Sequence, residues 1–395
     1  MPTGLIPELI DNIMVRNKQH TTNFKELFRL GRDALNKWGH EKSYSNSPVD
    51  VVDFFCCAGG MSLGFASLKD VYKICGGVDI NPIPLSAYHN NYQVPTIEAD
   101  IASMDDIDRV KRDFNISSDN NRPLVLIGCA PCQGFSAHRK VKQERPEDSR
   151  NTLIGAFADI AVELNPDFVV MENVPEILTG KYRSHYDEAK NVFQFNGYHV
   201  VQKVYNAAGF GVPQARIRAI IVASKYKDFE LPEEILSEQD YVTVRNAIGD
   251  LPPVAAGQIC TSDALHRCSA HRQSTIDVIK VVPHDGGSRP SGIGPKCLEK
   301  IKGFYDVYGR LAWDKPSITI TQYSRNPASG RFSHPEQDRG LTIREAARLQ
   351  SFPDGYVWEG SLGEKFKQIG EAVPPLLALA IATQIALKLQ EEGKL

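Results

Sequence analysis

Two residues with complementary chemistry each follow or end an apolar run of the chain. Cys132 comes shortly after the run that ends near Gly128, and Glu172 ends another run farther along. If both runs are parallel strands of one α/β sheet, their carboxyl ends meet in one crevice. A thiolate can add to carbon-6 of a pyrimidine and so make carbon-5 nucleophilic. A carboxylic acid beside ring nitrogen-3 stabilises the resulting charge if its pKa is raised enough to keep or share a proton.

Each of these residues also has a simpler explanation when it is considered alone. A free cysteine such as Cys132 is most often a small buried apolar side chain, and Glu172 could be a surface carboxylate. The chemical hypothesis therefore depends on the elements that would bring the two together.

Seven apolar runs separated by helical segments predict a mainly parallel, Rossmann-like α/β sheet that is covered on both faces. The runs are residues 51–56, 73–80, 96–101, 124–129, 168–171, 199–206 and 219–223. A helix over 342–350 is expected, with Thr342 as N-cap and Glu345 as its capping-box partner. A last helix is expected over 375–391.

The periodic pattern divides the chain into four segments. Residues 1–48 predict a helical extension, for which a packing role is favoured over a partner-binding arm. Residues 49–224 hold the predicted sheet, and residues 225–308 lack clear periodicity and predict a smaller, irregular second domain. Residues 309–395 are expected to return to the first domain.

Charge and cysteine usage favour an intracellular protein with a polyanionic partner. The net charge is −3 overall, but 256–350 holds fourteen Lys and Arg against nine Asp and Glu, a net of +5. A surface that faces phosphate is therefore expected there. The eight cysteines show no disulfide framework, and neither a signal peptide nor a membrane span is predicted.

A group of cysteines and histidines in the second domain raises the question of a metal. The group is Cys260, His266, Cys268 and His271. Its spacing matches none of the usual paired-ligand patterns of zinc sites, so no metal is predicted and zinc remains the lesser alternative.

Several ordered motifs resemble those of the DNA cytosine-5 methyltransferase family, of the bacterial or phage restriction-modification type. The resemblance runs from about Val51 to Leu389, with a gap in the irregular middle. It rests on Phe55-Cys56-Cys57-Ala58-Gly59-Gly60, Ala130-Pro131-Cys132-Gln133, Glu172-Asn173-Val174, Gln214-Ala215-Arg216-Ile217-Arg218, residues 316–321 and Gln368-Ile369-Gly370-Glu371-Ala372-Val373-Pro374-Pro375.

The resemblance assigns catalytic roles to five residues. Cys132 would be the nucleophile on carbon-6 of a flipped cytosine, and Glu172 would contact nitrogen-3 and the exocyclic amine. Arg218 would hold the ring carbonyl oxygen, which gains charge in the adduct. Arg216 would support that site, and Asn173 would brace the loop that carries Cys132.

The resemblance also implies S-adenosylmethionine as methyl donor, with S-adenosylhomocysteine as product. Glycines in the turn after the first strand would let the cofactor approach the backbone, and Asp79 would bind the ribose. Cys57 stands where many members carry glycine, so a slightly altered turn without loss of binding is expected. The expected cofactor-binding residues are Phe55, Ala58, Gly59, Gly60, Asp79, Ile80, Asp100, Ile101, Pro131, Glu371 and Ala372.

Double-stranded DNA is the implied partner, and 225–308 would be its target-recognition domain. Candidate DNA contacts are Gln133, Ser136, Arg150, Arg289, Arg325 and Arg331, although each of the last three could equally be an ordinary surface cation. The remaining expectations are a monomer in the cytoplasm, a cognate restriction endonuclease and no membrane contact. Two alternatives stay open: a tRNA cytosine-5 methyltransferase and a catalytically silent DNA-binding regulator.

Overall fold

The computed structural model describes residues 22–39, 47–116, 122–131, 153–295 and 306–395. These residues cluster into two compact units. The sheet unit contains the described residues of Gln19–Asn206, Ile217–Glu234 and Val373–Leu395. The second unit contains those of Ala207–Arg216 and Ile235–Ala372.

The sheet unit contains one seven-stranded sheet, as the sequence predicts. Its strands are β1 Val49–Phe54, β2 Tyr72–Asp79, β3 Thr96–Glu98, β4 Leu124–Gly128, β5 Phe168–Asn173, β6 His199–Asn206 and β7 Ile217–Ser224. The order is β3-β2-β1-β4-β5-β7-β6, and only β7 runs antiparallel to its neighbours. The predicted mostly parallel α/β sheet is therefore confirmed. The order reverses between β1 and β4, and ligands of such sheets bind beside that point.

Helices cover the sheet because the crossovers between parallel strands must lie on its faces. They are α1 Thr22–Asn36, α2 Gly60–Ala66, α3 Pro82–Tyr92, α4 Ile107–Asp113, α5 Leu153–Leu164, α6 Arg183–Phe195 and, at the end of the chain, Pro375–Glu391. That last helix lies at the predicted position and packs against α1 and α2. Its apolar residues are buried almost along its whole length, which explains its continuous apolar sequence.

The second unit is built largely from loops joined by polar contacts. Its regular elements are α7 Val244–Ile248, β8 Ile259–Cys260, β9 Asp263–Arg267, α8 Gln273–Lys280, α9 Ile343–Leu349 and α10 Leu362–Glu371. The helix Pro375–Glu391 is accordingly α11. At the start of α9 the Thr342 hydroxyl accepts from the Glu345 amide, and the Glu345 carboxylate accepts from the Thr342 amide. The predicted capping box is therefore present.

The domain boundary differs from the one expected near residue 308. The second unit continues to Ala372, because α9 and the segments before it pack on α7 and β9. Arg344 pairs with Asp263 at 2.6 Å, and Arg348 pairs with Asp250 at 2.7 Å. After residue 235, only Val373–Leu395 groups with the sheet unit, whereas the sequence predicts a return from residue 309.

One stretch of the described residues, Leu362–Glu391, is long and apolar enough to cross a membrane. It consists of α10 and α11 with Pro374 before the second helix, and 89% of its most apolar window is buried inside the protein. Buried core helices share this composition, so the stretch is weak evidence for a membrane span.

Candidate functional site

The segment that follows β4 brings the chain to the candidate nucleophile. Pro131 is the last residue described there. Cys132, Gln133, Ser136 and Arg150 lie outside the described residues, so their roles remain predictions.

Asn173 holds the backbone immediately before that point. Its side chain is 4% exposed and lies at the end of β5, beside β4 in the sheet. The Asn173 Nδ2 donates to the Ala130 carbonyl at 3.3 Å, and its Oδ1 accepts from the Val174 amide at 2.9 Å. Both ends of the amide are therefore engaged, which fits the predicted bracing of the loop after Pro131.

Glu172 and Arg218 form an ion pair on adjacent strands. Glu172 lies opposite Ile220 in the antiparallel β5–β7 ladder, so Arg218, two residues away, shares its face. The Arg218 Nε is 2.8 Å from the Glu172 Oε1, with side chains 13% and 10% exposed. The Arg218 Nη1 also donates to the Ile217 carbonyl at 2.7 Å.

The geometry of this ion pair is close but not well directed. Although the nitrogen and oxygen are only 2.8 Å apart, the Glu172 Oε1 accepts no hydrogen bond of acceptable angle from the described residues. Because the Arg218 Nε and the Glu172 Oε1 are so close, the two charges interact. Because the angle between them is poor, the Glu172 Oε1 can still accept a hydrogen bond from a better-directed donor. Such an oxygen suits contact with a polar ring atom or amine.

Space for a substrate beside Glu172 is small among the described residues. The carboxylate lines a cavity of about 10 Å³ together with Gly128, Ala130, Met171 and Ile221. That volume holds about one water molecule. The described residues thus supply the charge arrangement predicted for the site but not a base-sized space.

Arg216 is buried in the second unit, and its guanidinium contacts backbone carbonyls of two other motifs. Its guanidinium donates from Nη1 to the Ile320 carbonyl at 3.2 Å and from Nη2 to the Ala372 carbonyl at 3.1 Å. The arginine therefore connects three motifs of the resemblance through their backbone. It positions segments, and a direct contact with a base is not indicated.

A pair of glutamine side chains reinforces the same junction. The Gln214 Nε2 donates to the Gln350 Oε1 at 2.7 Å, and the Gln214 Oε1 accepts from the Ile320 amide at 2.9 Å. The Gln350 Nε2 donates to the Ile369 carbonyl at 2.7 Å. Both glutamines are fully buried, so each unmade bond would carry the full cost of desolvation.

The turn at residues 55–60, called the cofactor turn below, follows β1 at the switch point of the sheet. Phe55, Cys57 and Gly59 have φ angles of 54°, 46° and 91°. Left-handed conformations are strained for the two non-glycine residues. The Cys57 amide donates to the Asp79 Oδ2 at 2.9 Å, which offsets part of that strain. At Cys57 the turn is therefore left-handed and anchored to the end of β2.

The neighbouring strand ends fit the chemistry of an adenosine group. The Asp79 Oδ1 also accepts from the Asn81 amide, and a carboxylate can accept about four hydrogen bonds, so contact with ribose hydroxyls is compatible with this anchoring. Ile80, directly after β2, is 62% exposed and leaves an apolar surface open beside Asp79. Asp100 is exposed after β3, and Ile101 beside it is buried.

The remaining predicted cofactor residues lie where their motifs place them. Ala58 and Gly60 are buried in the cofactor turn and at the start of α2, and Pro131 is half-buried. Glu371 ends α10 with an exposed side chain, whereas Ala372 is buried and offers its carbonyl to Arg216.

The three arginines predicted to contact DNA differ in their surroundings. Arg331 donates to the Gly286 and Gly287 carbonyls and pairs with Asp306 at 2.8 Å. Its contacts are those of a loop brace. Arg289 is half-buried and donates to the carbonyl of Ile293.

Arg325 has the surroundings expected of a nucleic-acid contact. Its side chain is exposed, and no described residue forms an ion pair with it. Tyr323, which the sequence does not single out, is 62% exposed on the same loop. The loop is ordered by its own bonds, because the Ser329 hydroxyl is 2.7 Å from the Tyr323 carbonyl. Exposure of one aromatic ring could be recognised only from the structure.

The cysteine and histidine group of the second unit makes ordinary hydrogen bonds. The His266 Nδ1 lies 3.0 Å from the Thr342 hydroxyl, and its Nε2 lies 2.7 Å from the Pro252 carbonyl. The His271 Nε2 accepts from the Gly340 amide at 3.0 Å. Within the described parts of the chain, no three His, Cys, Asp or Glu side chains are arranged to hold a metal ion.

Comparison with known proteins identifies the family of the chain. Residues 49–387 match the profile of the family described as C-5 cytosine-specific DNA methylase. The chain is 34% identical over 349 residues to the type II methylase M.HgiDII of Herpetosiphon aurantiacus, covering 85% of this chain and 94% of the relative. It is 36% identical over 343 residues to the type II methyltransferase M1.HphI of Haemophilus parahaemolyticus, covering 85% and 86%.

A solved structure supports the fold alone. It is described as a prophage-encoded DNA modification methyltransferase of E. coli and aligns with a TM-score of 0.67 and 22% identity. The alignment covers 87% of this chain and 99% of the other. With the family match spanning most of the chain, this chain belongs to the C-5 cytosine-specific DNA methylase family and is a DNA (cytosine-5)-methyltransferase.

Proposed function

We propose that the protein methylates carbon-5 of a cytosine within a specific duplex DNA sequence, by base flipping and a covalent Cys132 adduct at carbon-6. The observation that carries this proposal is the Glu172–Arg218 ion pair, 2.8 Å across, at the sheet edge where β4 leads toward Cys132. An acid and a cation placed together there match the two sites of charge on a cytosine under thiolate attack.

A few side chains of the sheet unit carry out the chemical steps. The Cys132 thiolate forms a bond to carbon-6, and Glu172 holds nitrogen-3 as electron density shifts toward it. Arg218 faces the ring carbonyl oxygen, which gains charge in the adduct. Carbon-5, made nucleophilic by the adduct, would then take the methyl group from the sulfonium donor, which would leave as a thioether. Loss of the carbon-5 proton to solvent lets the thiolate leave and restores the ring.

Arg218 must serve two partners during this cycle. Before substrate binds it lies against Glu172, and an entering cytosine offers a neutral oxygen that becomes more negative as the adduct forms. The guanidinium can bridge both acceptors because its five N–H groups form a fixed fork. Its bond to the Ile217 carbonyl keeps the head in place meanwhile.

S-adenosylmethionine supplies the electrophilic methyl group. The cofactor turn, Asp79, Ile80 and Asp100 would hold its adenosine. The support is the left-handed glycine of the turn together with an exposed apolar side chain beside strand-end carboxylates. Pro131, Glu371 and Ala372 are proposed to lie toward the methionine end.

The second unit is proposed to read the DNA sequence. Arg325 and Tyr323 form an exposed cationic and aromatic pair on an ordered loop, a combination suited to phosphate and base contacts. Gln133, Ser136 and Arg150 are proposed to contact the strand around the flipped base. Because the relatives are named type II enzymes, a cognate restriction endonuclease is proposed as a partner. The protein is also proposed to be a cytoplasmic monomer.

Transfer of a tritiated methyl group tests this function. Purified protein is incubated with labelled S-adenosylmethionine and either bacterial duplex DNA or bulk tRNA, and the labelled nucleosides are then separated. Label in 5-methyldeoxycytidine from the duplex alone is expected, and bisulfite sequencing then gives the target. Label in tRNA, or in N4-methyldeoxycytidine, would overturn the proposal. The variant Cys132→Ser should transfer no methyl group.

A further inference from the structure

Helix α1 lies outside the family match, which begins at residue 49, yet it is an integral part of the sheet unit. Phe24, Phe28 and Leu35 are at most 3% exposed, and the helix packs on α2 and α11. A Cβ at Gly31 would lie 2.5 Å from Leu379, so the helices approach closely at this glycine. Such packing explains how an added segment can act on the elements beneath it.

Two aromatic rings, one after α1 and one at the end of α3, connect the segment after α1 with the cofactor turn. Trp38 is 8% exposed and contacts Tyr92 of α3 edge to face, with ring centroids 5.5 Å apart at 60°. Tyr92 is 1% exposed, and its hydroxyl donates to the Gly59 carbonyl at 2.5 Å. An aromatic pair of this geometry holds both rings in place.

Gly59 is the point at which the turn becomes α2. Its φ of 91° lies in the left-handed region, and a Cβ there would be 2.4 Å from the Tyr92 ring. Its carbonyl also accepts the first helical bond, from the Leu63 amide at 2.9 Å. The Tyr92 hydroxyl therefore adds a second bond to a carbonyl that already starts the helix.

The bond from Tyr92 that orients the Gly59 carbonyl also orients the Gly60 N–H. The Gly59 carbonyl and the Gly60 amide belong to one planar peptide unit, so their directions are coupled. The Gly60 N–H is among the first four of α2, which have no partner within the helix and are the donors that a helix presents to a ligand. The direction of this N–H is consequently set in part by Tyr92 and by the ring packed on it.

We propose that Tyr92 and Trp38 are positioning residues for the cofactor turn, so that the N-terminal extension outside the family domain tunes affinity for S-adenosylmethionine. The inference rests on the proposed cofactor site. It revises the packing role expected for residues 1–48, because the extension acts on binding as well as on stability.

The decisive variant is Tyr92→Phe, which removes one hydroxyl and keeps the ring. Its matched control is Tyr72→Phe. Tyr72 is as buried as Tyr92 and lies in the same unit, and its hydroxyl donates to the Ala382 carbonyl at 2.6 Å. Tyr72 starts β2, whereas the cofactor turn lies beside the other end of that strand. Binding of S-adenosylhomocysteine is measured by calorimetry, and urea midpoints are measured in parallel.

Tyr92→Phe should bind S-adenosylhomocysteine about five-fold more weakly, the equivalent of one hydrogen bond of about 1 kcal/mol. Tyr72→Phe should lower the urea midpoint without changing affinity. Tyr92→Phe should raise the KM for the methyl donor, measured with DNA saturating. It should leave the KM for DNA, measured with the methyl donor saturating, unchanged. Trp38→Phe should keep affinity within about two-fold, since an aromatic ring remains, whereas Trp38→Leu should weaken it.

Equal affinities of wild type and Tyr92→Phe would overturn the inference, as would equal losses in Tyr92→Phe and Tyr72→Phe. If wild-type protein itself bound no S-adenosylhomocysteine, the proposed cofactor and not only this positioning role would fail. The two failures are therefore distinguishable.

Discussion

Replacing Gly370 with alanine should disrupt the junction between two motifs of the second unit. A Cβ at Gly370 would lie 2.1 Å from both the Gln322 amide nitrogen and the Thr321 carbonyl carbon. Both are backbone atoms, so no side chain can rotate away. The backbone on the other side is also held, because the Gln350 Nε2 donates to the Ile369 carbonyl.

The sign of the effect follows from two opposing contributions. Alanine is preferred over glycine within a helix by about 1 kcal/mol, which would stabilise α10. Forcing a methyl group into a closely packed site costs about 1–3 kcal/mol and more where backbone must move. With more than 1 Å of displacement needed, the second contribution dominates. A net loss of about 2 kcal/mol in the free energy of unfolding is expected.

Urea unfolding followed by tryptophan fluorescence measures this loss. Trp313 and Trp358 lie in the second unit and Trp38 lies in the sheet unit, so the signal reports on both units. The matched control is Gly155→Ala in α5, where no described atom lies within 4 Å of the added Cβ. The control should be unchanged or more stable by about 0.5–1 kcal/mol.

A Gly370→Ala protein as stable as wild type would refute the reasoning. It would mean that the contact of α10 with residues 321–322 is looser than the structure shows. A loss of equal size in Gly155→Ala would also refute it, because the effect would then come from the helices and not from the close approach.

Four further predictions concern charge. Arg218→Lys should lower kcat for methylation at least about ten-fold with little effect on the KM for the methyl donor, because an ammonium cannot bridge Glu172 and the base as a fork; unchanged kcat would contradict the role. Burial lowers the pKa of His334 to about 4, so its stabilising effect is complete above about 6.5 and is lost as pH falls through 4; urea midpoints from pH 7 to 4 should therefore fall less in His334→Gln. Burial would raise the pKa of Glu345, but its ion pair and hydrogen bonds lower it to about 2, so its effect is lost only between about pH 4.5 and 2, seen as a flatter midpoint profile in Glu345→Gln over that range. Arg325→Ala should weaken DNA binding and reduce the salt slope by about 1, whereas an unchanged slope would remove it from the interface.

The sheet and the helix boundaries could be predicted because they depend on local patterns. Apolar runs mark the buried strands, and the Thr342–Glu345 spacing marks the start of α9 within a few residues. The ends of β4 and β5 follow from the same runs, whereas the bracing role of Asn173 is what the family resemblance implies.

The second unit could not be predicted in the same way, because distant side chains hold it together. Arg310 is fully buried and donates to the carbonyls of Ile279, Val282 and His334, none of which a local pattern identifies. Arg331 is a candidate DNA contact or surface cation by sequence, and in the structure it donates to two backbone carbonyls and pairs with Asp306. Such contacts join residues far apart in the sequence and leave no change in composition that a local pattern could detect.

The central claim is that Cys132 bonds transiently to the target base. Once the recognition sequence is known, a duplex carrying 5-fluorocytosine at the target is incubated with the protein and S-adenosylmethionine. Fluorine cannot leave carbon-5 as a proton does, so the account predicts a stable protein–DNA adduct that mass spectrometry assigns to Cys132 and that Cys132→Ser lacks. An enzyme that methylates the normal duplex but forms no adduct with the fluorinated one, or forms it through another residue, would contradict the claim.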